Sequence, residues 1–413
     1  MTELAALSQT VDTNMAFVGR QPIYGRSIDM FAYELLFRHN EVNHATFTDG
    51  DAATAQVMLN TFVEIGLDHI VDDHLAFINL TRDFVLGNYY VALPNDRVVL
   101  EVLENMGVDQ ELMDALQRLS KLGYQIALDD FVYHESLKPL VELADIIKVD
   151  VLELDRDTVA QHVKILRQYP VKLLAEKVET HEEFEFCRDL GFDYFQGYFF
   201  CKPKVISAKS MPANRMAILA LLTQLQNPTI EISQLERIIQ EDLSLGSQVL
   251  RYINTAFFEM PKQIDSIDQA VYMVGTDRLR TWASLLMLAR IEDKPVELLV
   301  TAIVRARMCE QLALAHHVRE VDQYFTVGLF SILDGLLDQP LDDLITTLPL
   351  GEDIRQALLW RKGPLGMTLE CVLAYERGDW DTVLCHGVEV ETVKSVYLEA
   401  ISWTAYLVPL LKS

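Results

Sequence analysis

Several features that would place this 413-residue chain in a familiar class are missing from its sequence. No apolar run reaches the ~18 residues that a transmembrane helix needs. The first residues, MTELAALSQTVDTNMAF, lack the basic and apolar regions of a secretory signal. The five cysteines form no C-x-x-C pair, which indicates reduced thiols rather than a disulfide framework. We therefore expect a cytoplasmic protein without membrane insertion.

Positive charge is also scarce, since 35 Lys and Arg stand against 61 Asp and Glu, a formal net charge of −26. Such a surface repels DNA and RNA, so we do not expect a nucleic-acid partner. A small phosphate ligand is still compatible with this charge, because metal ions and a few Arg or Lys reverse it locally.

The character of the chain changes near Pro203. Before it, strand-like runs alternate with helix-like patterns, which is typical of a parallel sheet with crossover helices. Beyond it, nearly all periodicity is helical, with Pro and Gly between segments. We predict an α/β protein with a TIM-like (β/α) barrel followed by an all-α domain. The predicted bounds are a leader at 1–14, the barrel at 15–204, a linker at 205–214 and the helical domain at 215–413.

Polar side chains stand at the ends of the predicted strands, for example in the runs QIALDDF, IIKVDV, LLAEKVET and DYFQGYFF. The carboxyl ends of barrel strands converge on one mouth, where catalytic groups collect. The side chains expected at this mouth are Glu34, Asn79, Glu101, Asp129, Asp130, Lys148, Asp150, Glu176, Glu179 and Gln196.

Most of these side chains are anionic oxygen donors, which Mg²⁺ and Mn²⁺ prefer. Two such ions ~3.5–4 Å apart would activate a water and stabilise the leaving oxygen of a phosphodiester. Lys148 would hold the attacking water or neutralise developing charge, and Arg38 would bind a phosphate through its planar guanidinium. One acid alone is more simply explained as a solvated strand end or a helix cap. The whole set is not.

The ordered motifs of the first half resemble the EAL domain, the fold of cyclic di-GMP phosphodiesterases. The signature tripeptide is Glu34-Leu35-Leu36, inside YELLFR. RQPIYG, FINLT, LEVLE, ALDDF, IIKVD, AEKVET and FQGYFFCKP accompany it in the family's order, over about residues 16–204. The resemblance implies metal-dependent opening of cyclic di-GMP to linear pGpG.

The resemblance also implies a role for each matching residue. The implied metal ligands are Glu34, Asn79, Glu101, Asp129, Asp130 and Glu176, of which Asp130 serves a second metal. Lys148 matches the water-positioning lysine and, with Glu34 and Asp129, forms the implied catalytic group. Arg38, Leu36 and Gln196 match substrate contacts, and Glu104 and Glu179 match acids that steady the loop after Asp129.

Two departures from the family pattern stand beside the implied ligands. The family's DDFGTGYSSL is here DDFVYHESL, one residue shorter and without either glycine. Lys177 replaces the glycine of the family's E-G-V-E motif. Glycine supplies backbone conformations that other residues adopt at a cost. Ligand binding is therefore a firmer expectation than turnover.

The second half resembles an HDOD domain, a relative of the HD phosphohydrolases, over LSLGSQVLRYINTAFFEMPKQIDSIDQAVYMVGTDRLRTW and VRARMCEQLA. No His-Asp dipeptide occurs in the chain, and GLFSILDGLL places Ser331 and Ile332 at the ligand positions. Asp334 alone does not make a hydrolytic metal centre. We expect a non-catalytic helical domain that regulates the barrel or binds protein partners, in the YuxH-like bacterial signalling architecture. A homodimer is a further expectation.

Three functions remain open from the sequence. The chain is a cyclic di-GMP phosphodiesterase, a weak or silent cyclic di-GMP receptor, or a scaffold that acts through its helical surfaces without the nucleotide. Fold resemblance alone does not decide among them.

Overall fold

The computed structural model describes residues 16–39, 66–86, 93–103, 106, 108–202, 212–227, 229–254, 263–385 and 388–412. The predicted leader and most of the predicted linker lie outside these residues. The chain divides into two compact units. The first contains Met1–Gln21, Ala32–Asp150 and Leu154–Leu174, and the second contains Pro22–Phe31, Val151–Glu153 and Ala175–Ser413.

Eight strands close into a barrel in chain order, which confirms the predicted fold class. The third to seventh strands are rich in Val, Ile, Leu and Ala and are almost entirely buried, as expected for parallel strands that are covered on both faces. Their bounds are β1 Ala16–Gly25, β2 Met30–His39, β3 Leu75–Leu80, β4 Val98–Leu103, β5 Gln125–Asp129, β6 Ile146–Asp150, β7 Lys172–Glu176 and β8 Tyr194–Gln196.

The first strand, β1, is the one that the sequence patterns did not predict. It pairs antiparallel with β8, so that Ile23 lies opposite Gln196. Strands β2 to β6 pair in parallel. A tight turn joins β1 to β2, in which Gly25 donates its N–H to the carbonyl of Asp29 at 2.8 Å. Pro and Gly are rare in central strands, so Pro22 and the glycines of this segment obscure its extended pattern.

The helices around the barrel begin and end at residues that the sequence marks clearly. Asp109 caps its helix by accepting a hydrogen bond from Leu112 N at 2.9 Å. Thr180 and Glu183 form a reciprocal capping box. Gly191 ends the same helix with a φ of 104°, a left-handed conformation suited to glycine. The helices are Leu67–Val71, Arg82–Leu86, Gln110–Lys121, Lys138–Val141, Arg156–Leu166 and His181–Leu190.

Beyond Pro212 the regular secondary structure of the described residues is entirely helical, as predicted. Its helices are Ala213–Leu225, Ile232–Glu241, Leu243–Ile253, Ile267–Val274, Thr276–Leu288, Val296–Ala315, Val321–Phe330, Leu333–Leu337, Leu341–Thr347, Glu352–Trp360, Gly363–Arg377, Trp380–Cys385 and Val390–Lys412. None of the helices in the described residues is both long and apolar enough to cross a membrane.

The core of this helical part is built around Val296–Ala315, which buries residues on most of its circumference. Helix Val321–Phe330 packs directly on it at Gly328, where a Cβ atom would lie 2.5 Å from Ala306 Cα. The predicted helical run FTVGLFSILDGLL is interrupted between Phe330 and Leu333. The close approach of the two helices therefore depends on Gly328. The interruption of the helical run falls at Ser331 and Ile332, the degenerate HD position.

Candidate active site

The register of the parallel strands brings several predicted ligands side by side. Asn79 of β3 lies opposite Glu101 of β4. Asp129 of β5 lies opposite Leu103, which follows Glu101 by two residues and so shares its face of the sheet. Asn79 also donates its side-chain N–H to Glu34 Oε1 at 3.0 Å. The four side chains from β2 to β5 thus form one cluster.

Lys148 of β6 lies at the centre of this cluster. Its Nζ is 2.6 Å from Glu101 Oε1, 2.7 Å from Asp129 Oδ1 and 3.4 Å from Glu34 Oε2. Lys148 and Glu101 are fully buried, and Glu34 and Asp129 are only 6% and 8% exposed. Buried ionised groups persist only when they are paired, so these residues stabilise one another.

Negative charge exceeds positive charge within the cluster, because three carboxylates face one ammonium group. Burial raises the pKa of Glu101 well above its ordinary value, and the neighbouring Glu34 carboxylate acts in the same direction. Lys148 opposes both effects and lowers that pKa. An additional cation at this position would favour the ionised form of Glu101.

The donor atoms fit a hard divalent cation. Three carboxylates and one amide supply oxygen ligands only, and the Asn79 amide uses its N–H on Glu34, which leaves its carbonyl oxygen as an acceptor. Both Glu101 carboxylate oxygens are buried and make no hydrogen bond of good geometry among the described residues. Among those residues no three His, Cys, Asp or Glu side chains are arranged as a metal-ligand set. Lys148 Nζ contacts both Glu101 and Asp129 in this arrangement.

The altered loop begins directly after Asp129. Asp130 is exposed and has a φ of 46°, a left-handed conformation that Asp tolerates better than most residues. Phe131 is buried and donates its N–H to the carbonyl of Lys148 at 3.1 Å. Asp130 therefore lies between two residues that are both bound to Lys148.

Strands β7 and β8 end in Glu176 and Gln196, which are 7% and 4% exposed. The Glu176 carbonyl accepts a hydrogen bond from Val151 N at 3.2 Å, and the Gln196 carbonyl accepts one from Val178 N at 3.0 Å. Gly197 has a φ of 144° and lies so close to Val178 that a Cβ atom would be 2.6 Å from Val178 N. The run DYFQGYFF therefore leaves the sheet after Gln196, and Tyr198–Cys201 forms a 3-10 turn instead of continuing the predicted strand.

The segment between these two strand ends carries the other family departure. Lys177 has a φ of 56°, so the chain keeps at this position the left-handed conformation that glycine would adopt freely. Glu179 is exposed, and its carboxylate pairs with Lys202 at 3.0 Å. Its predicted role in steadying the loop after Asp129 stays a prediction.

The structure describes the remaining predicted residues only in part. Arg38 belongs to β2, but its side chain lies outside the described groups, and Glu104 lies outside the described residues altogether. Leu36 is a half-buried residue of β2, which continues to His39 beyond Glu34.

A partly buried ion pair lies beside Ser331 at the degenerate HD position of the helical half. Arg305 donates two hydrogen bonds to the Glu376 carboxylate, both at 2.7 Å, and a third to Ser331 Oγ at 3.3 Å. Asp334 lies near this guanidinium, and burial raises the pKa of its carboxyl. A fixed cation thus lies beside Ser331, which stands at the position of a metal ligand in the HD phosphohydrolases. Sequence patterns did not single out Arg305, because an arginine within a helical run carries no motif.

Comparison with known proteins agrees with this architecture. The family model of the EAL domain matches residues 5–203, and that of the HDOD domain matches residues 211–335. The cyclic di-GMP phosphodiesterase CdgJ of Vibrio cholerae is 33% identical over 397 residues, covering 94% of this chain and 92% of its own length. The protein YuxH of Bacillus subtilis is 32% identical over 94% of this chain and 97% of its own length.

An EAL domain protein of Listeria monocytogenes with a solved structure is 21% identical, with a TM-score of 0.37, covering 45% of this chain and 87% of its own. The likeness to CdgJ and YuxH, by contrast, extends along both halves of the chain. The chain belongs to the family of proteins in which an EAL domain is followed by an HDOD domain.

Proposed function

We propose that this chain is a metal-dependent phosphodiesterase that opens cyclic di-GMP to linear pGpG. The observation that carries the proposal is the buried cluster in which Glu34, Glu101 and Asp129 surround Lys148. An excess of buried carboxylate at strand ends is costly without a counter-ion, and it is suited to a site that binds a cation. The likeness to CdgJ over nearly the whole chain supports the same substrate.

Each residue of the cluster has a distinct task in this proposal. Glu34, Asn79, Glu101 and Asp129 would hold one Mg²⁺ or Mn²⁺, and Asp130 and Glu176 would contribute to a second. Such ions, when bound, lower the pKa of a coordinated water and neutralise charge on the phosphate.

The ammonium of Lys148 would donate hydrogen bonds to the attacking water and to the phosphate oxygens as negative charge develops on them. Arg38, Leu36 and Gln196 would position the nucleotide. The buried Gln196 is suited to this, because its backbone is fixed by Val178 and its amide offers both a donor and an acceptor.

Purified protein with Mn²⁺ or Mg²⁺ and cyclic di-GMP tests this activity by the release of pGpG. Glu34→Gln keeps the size of the side chain but removes a ligand charge, so we expect the rate to fall by at least about 100-fold. Glu142→Gln changes an exposed surface acid and serves as the matched control. Wild-type protein that forms no more pGpG than Glu34→Gln contradicts the proposal.

A second function is favoured by the loop that follows Asp129. This loop lacks glycine, and Asp130 is exposed in a left-handed conformation. A protein that binds cyclic di-GMP without rapid turnover would act as a receptor. Titration calorimetry decides this, since a receptor binds cyclic di-GMP without forming pGpG and a scaffold independent of the nucleotide binds none.

We further propose that the helical half is a non-catalytic domain that regulates the barrel or binds protein partners, and that the chain forms a homodimer. The Arg305–Glu376 pair beside Ser331 supports the absence of catalysis, because a fixed cation next to this position disfavours the binding of a metal ion there. Metal-dependent phosphate-ester hydrolysis that persists in Glu34→Gln would contradict this role. Among the described residues Cys187, Cys201, Cys309 and Cys371 form no disulfide, which suits a reducing cytoplasm.

A further inference from the structure

A cavity of about 360 Å³ lies within the second compact unit, away from the cluster around Lys148. Its volume falls in the range of roughly 300–1,000 Å³ that is typical of pockets for small molecules. The lining comes from the turn between β1 and β2, from helix His181–Leu190, from the first turn of helix Ala213–Leu225, from the residues before helix Val296–Ala315 and from Asp338, which follows helix Leu333–Leu337. The cavity, here named the basic cavity, is therefore a separate candidate site.

The charge of the basic cavity is opposite in sign to that of the chain. The cationic side chains in its lining are Arg26, Arg188, Arg215 and Lys294, and the carboxylates are Glu185, Asp293 and Asp338. Four cations therefore face three carboxylates, in a chain whose formal net charge is −26. A local excess of positive charge on such an acidic protein favours the binding of an anion.

Arg26 supplies the positive charge that no acid balances. Its two terminal nitrogens donate to the carbonyls of Phe192 at 2.6 Å and Arg188 at 3.0 Å. Neither bond is to a carboxylate, and Arg26 forms no ion pair with any acid of the described residues. Because the residue is exposed, its charge can be reached by an anion from solvent.

The buried side of the basic cavity holds two further cations. Arg215 is only 4% exposed and pairs with Asp338 and Asp293, while its Nε is buried and makes no hydrogen bond among the described residues. Lys294 donates to Asp338 Oδ1 at 2.6 Å. An ammonium has three N–H donors, so Lys294 keeps two for a ligand. Two cations thus share the carboxylate of Asp338, which leaves an excess of donors at this side.

One of the two acids on Arg215 is suited to exchange with an incoming anion. The side chain of Asp293 is 51% exposed, whereas that of Asp338 is 19% exposed and holds both cations. An ion pair with so exposed an acid contributes little to stability. Phosphate binds a guanidinium through two parallel hydrogen bonds, which are among the stronger ones in proteins. Asp293 can therefore give up Arg215 at little cost.

We propose that the basic cavity binds the phosphate group of a small anion through Arg26, Arg215 and Lys294, and that Asp293 leaves Arg215 when the anion binds. Phosphate offers more acceptor oxygens than a carboxylate, which matches donors that come from three separate side chains. The basic cavity shares no residue with the cluster around Lys148. Its failure would therefore leave the proposed hydrolysis of cyclic di-GMP untouched.

Titration calorimetry on the metal-free full-length protein tests the class of ligand. The probes are inorganic phosphate, guanosine monophosphate and acetate, and we expect acetate to bind at least about tenfold more weakly than the better phosphate probe. Tighter binding of inorganic phosphate supports a site for the free ion, and tighter binding of guanosine monophosphate supports a site for a phosphate ester. Absence of binding by both phosphate probes, or acetate that binds equally well, overturns the proposal.

Substitutions in the lining test the location of the site. Arg26→Gln and Lys294→Gln should each weaken phosphate binding by about tenfold, because each removes a charged donor. Asp293→Asn should instead tighten it by about twofold to fivefold, because a competing charge is lost. Arg237→Gln and Asp265→Asn, at exposed residues outside the cavity, are the matched controls.

The opposite signs separate a binding site from an ion-pair network that only stabilises the fold. Loss of any member of a purely structural network weakens the network, so such a role gives no variant with tighter binding. Wild-type affinity in Arg26→Gln, whose exposed side chain is not needed to fill a core, overturns the proposal. An Asp293→Asn variant that binds phosphate no more tightly than the wild type overturns it as well.

Discussion

Phe131 donates its backbone N–H to the carbonyl oxygen of Lys148 at 3.1 Å. The side chain of the same lysine contacts Asp129 at 2.7 Å. Lys148 therefore restrains the chain on both sides of Asp130, once through its backbone and once through its charge. A substitution at Lys148 removes only the second of these restraints, which allows the contribution of the charge to be measured alone.

Replacing Lys148 by Met should destabilise the metal-free protein by about 3–5 kcal/mol at neutral pH. The substitution keeps the length of the side chain but leaves the Glu34, Glu101 and Asp129 carboxylates without their buried counter-ion. Mn²⁺ should raise the melting temperature of Lys148→Met more than that of the wild type, because the cation replaces the lost charge. Hydrolysis should stay low even with Mn²⁺, since the lysine is also expected to stabilise developing charge.

Differential scanning calorimetry with and without Mn²⁺ checks this expectation. Lys138→Met is the control, because Lys138 is exposed and pairs only loosely with Glu142. It should change the stability by no more than about 0.5 kcal/mol. Equal melting temperatures for wild type and Lys148→Met would show that the cluster is not a stabilising ion pair.

The cluster around Lys148 could be predicted because strand ends obey simple rules. Short buried runs predict parallel strands, and parallel strands of a barrel present their carboxyl ends together. Asn79 and Glu101, which are separated by 22 positions in the sequence, fall opposite each other in the register for this reason. The central position of Lys148 could not be predicted from the strand patterns. The distances from its Nζ to Glu34, Glu101 and Asp129 depend on side-chain packing, which the patterns do not describe.

Lys177→Gly should stabilise the protein by about 1 kcal/mol. Lys177 has a φ of 56°, where a side chain costs energy that glycine avoids. Lys164→Gly is the control with the opposite expected sign. Lys164 lies in helix Arg156–Leu166, where glycine should lower the free energy of unfolding by about 1 kcal/mol. Urea denaturation measures both changes. Equal destabilisation by the two substitutions would mean that the left-handed conformation at Lys177 is not a source of strain.

Gly197→Ala should lower the melting temperature and weaken cyclic di-GMP binding. A Cβ atom at this position would lie 2.6 Å from Val178 N, which donates the hydrogen bond that fixes the Gln196 carbonyl. Gly275→Ala separates backbone strain from steric collision, since Gly275 also has a positive φ, 86°, but no atom lies within 4 Å of the place that an added Cβ would take. We expect Gly275→Ala to cost about 1 kcal/mol and to leave binding unchanged. Calorimetric titration of both variants checks the difference, and equal affinities would refute it.

Other elements were beyond prediction for physical reasons. Strand β1 contains Pro22, which is rare in central strands, and it pairs antiparallel with β8. Neither its composition nor the alternation of parallel strands and helices therefore predicts it. The pairing of Arg305 with Glu376 could not be predicted either, because helical periodicity shows which face of a helix is buried but not which charged side chains pair.

His162 should make the stability of the protein depend on pH between neutral and mildly acidic conditions. The side chain is only 9% exposed, and burial lowers the pKa of its imidazole below the unfolded value of 6.5. Above pH 6.5 the imidazole is neutral in both states and the stability is fully present. As the pH falls from 6.5 toward the lower folded-state pKa, the unfolded chain takes up a proton that the folded chain resists, so the free energy of unfolding decreases.

Urea denaturation at a series of pH values from 7.5 down to 5.5 measures this decrease. His162→Gln stays neutral in both states, so its free energy of unfolding should fall less steeply over the range. His69→Gln, the same substitution at an exposed histidine, is the matched control. If His162→Gln and His69→Gln give the same slope, the buried imidazole is not the group that couples folding to pH. A shallower slope in His162→Gln alone assigns the coupling to the desolvation of this one ring.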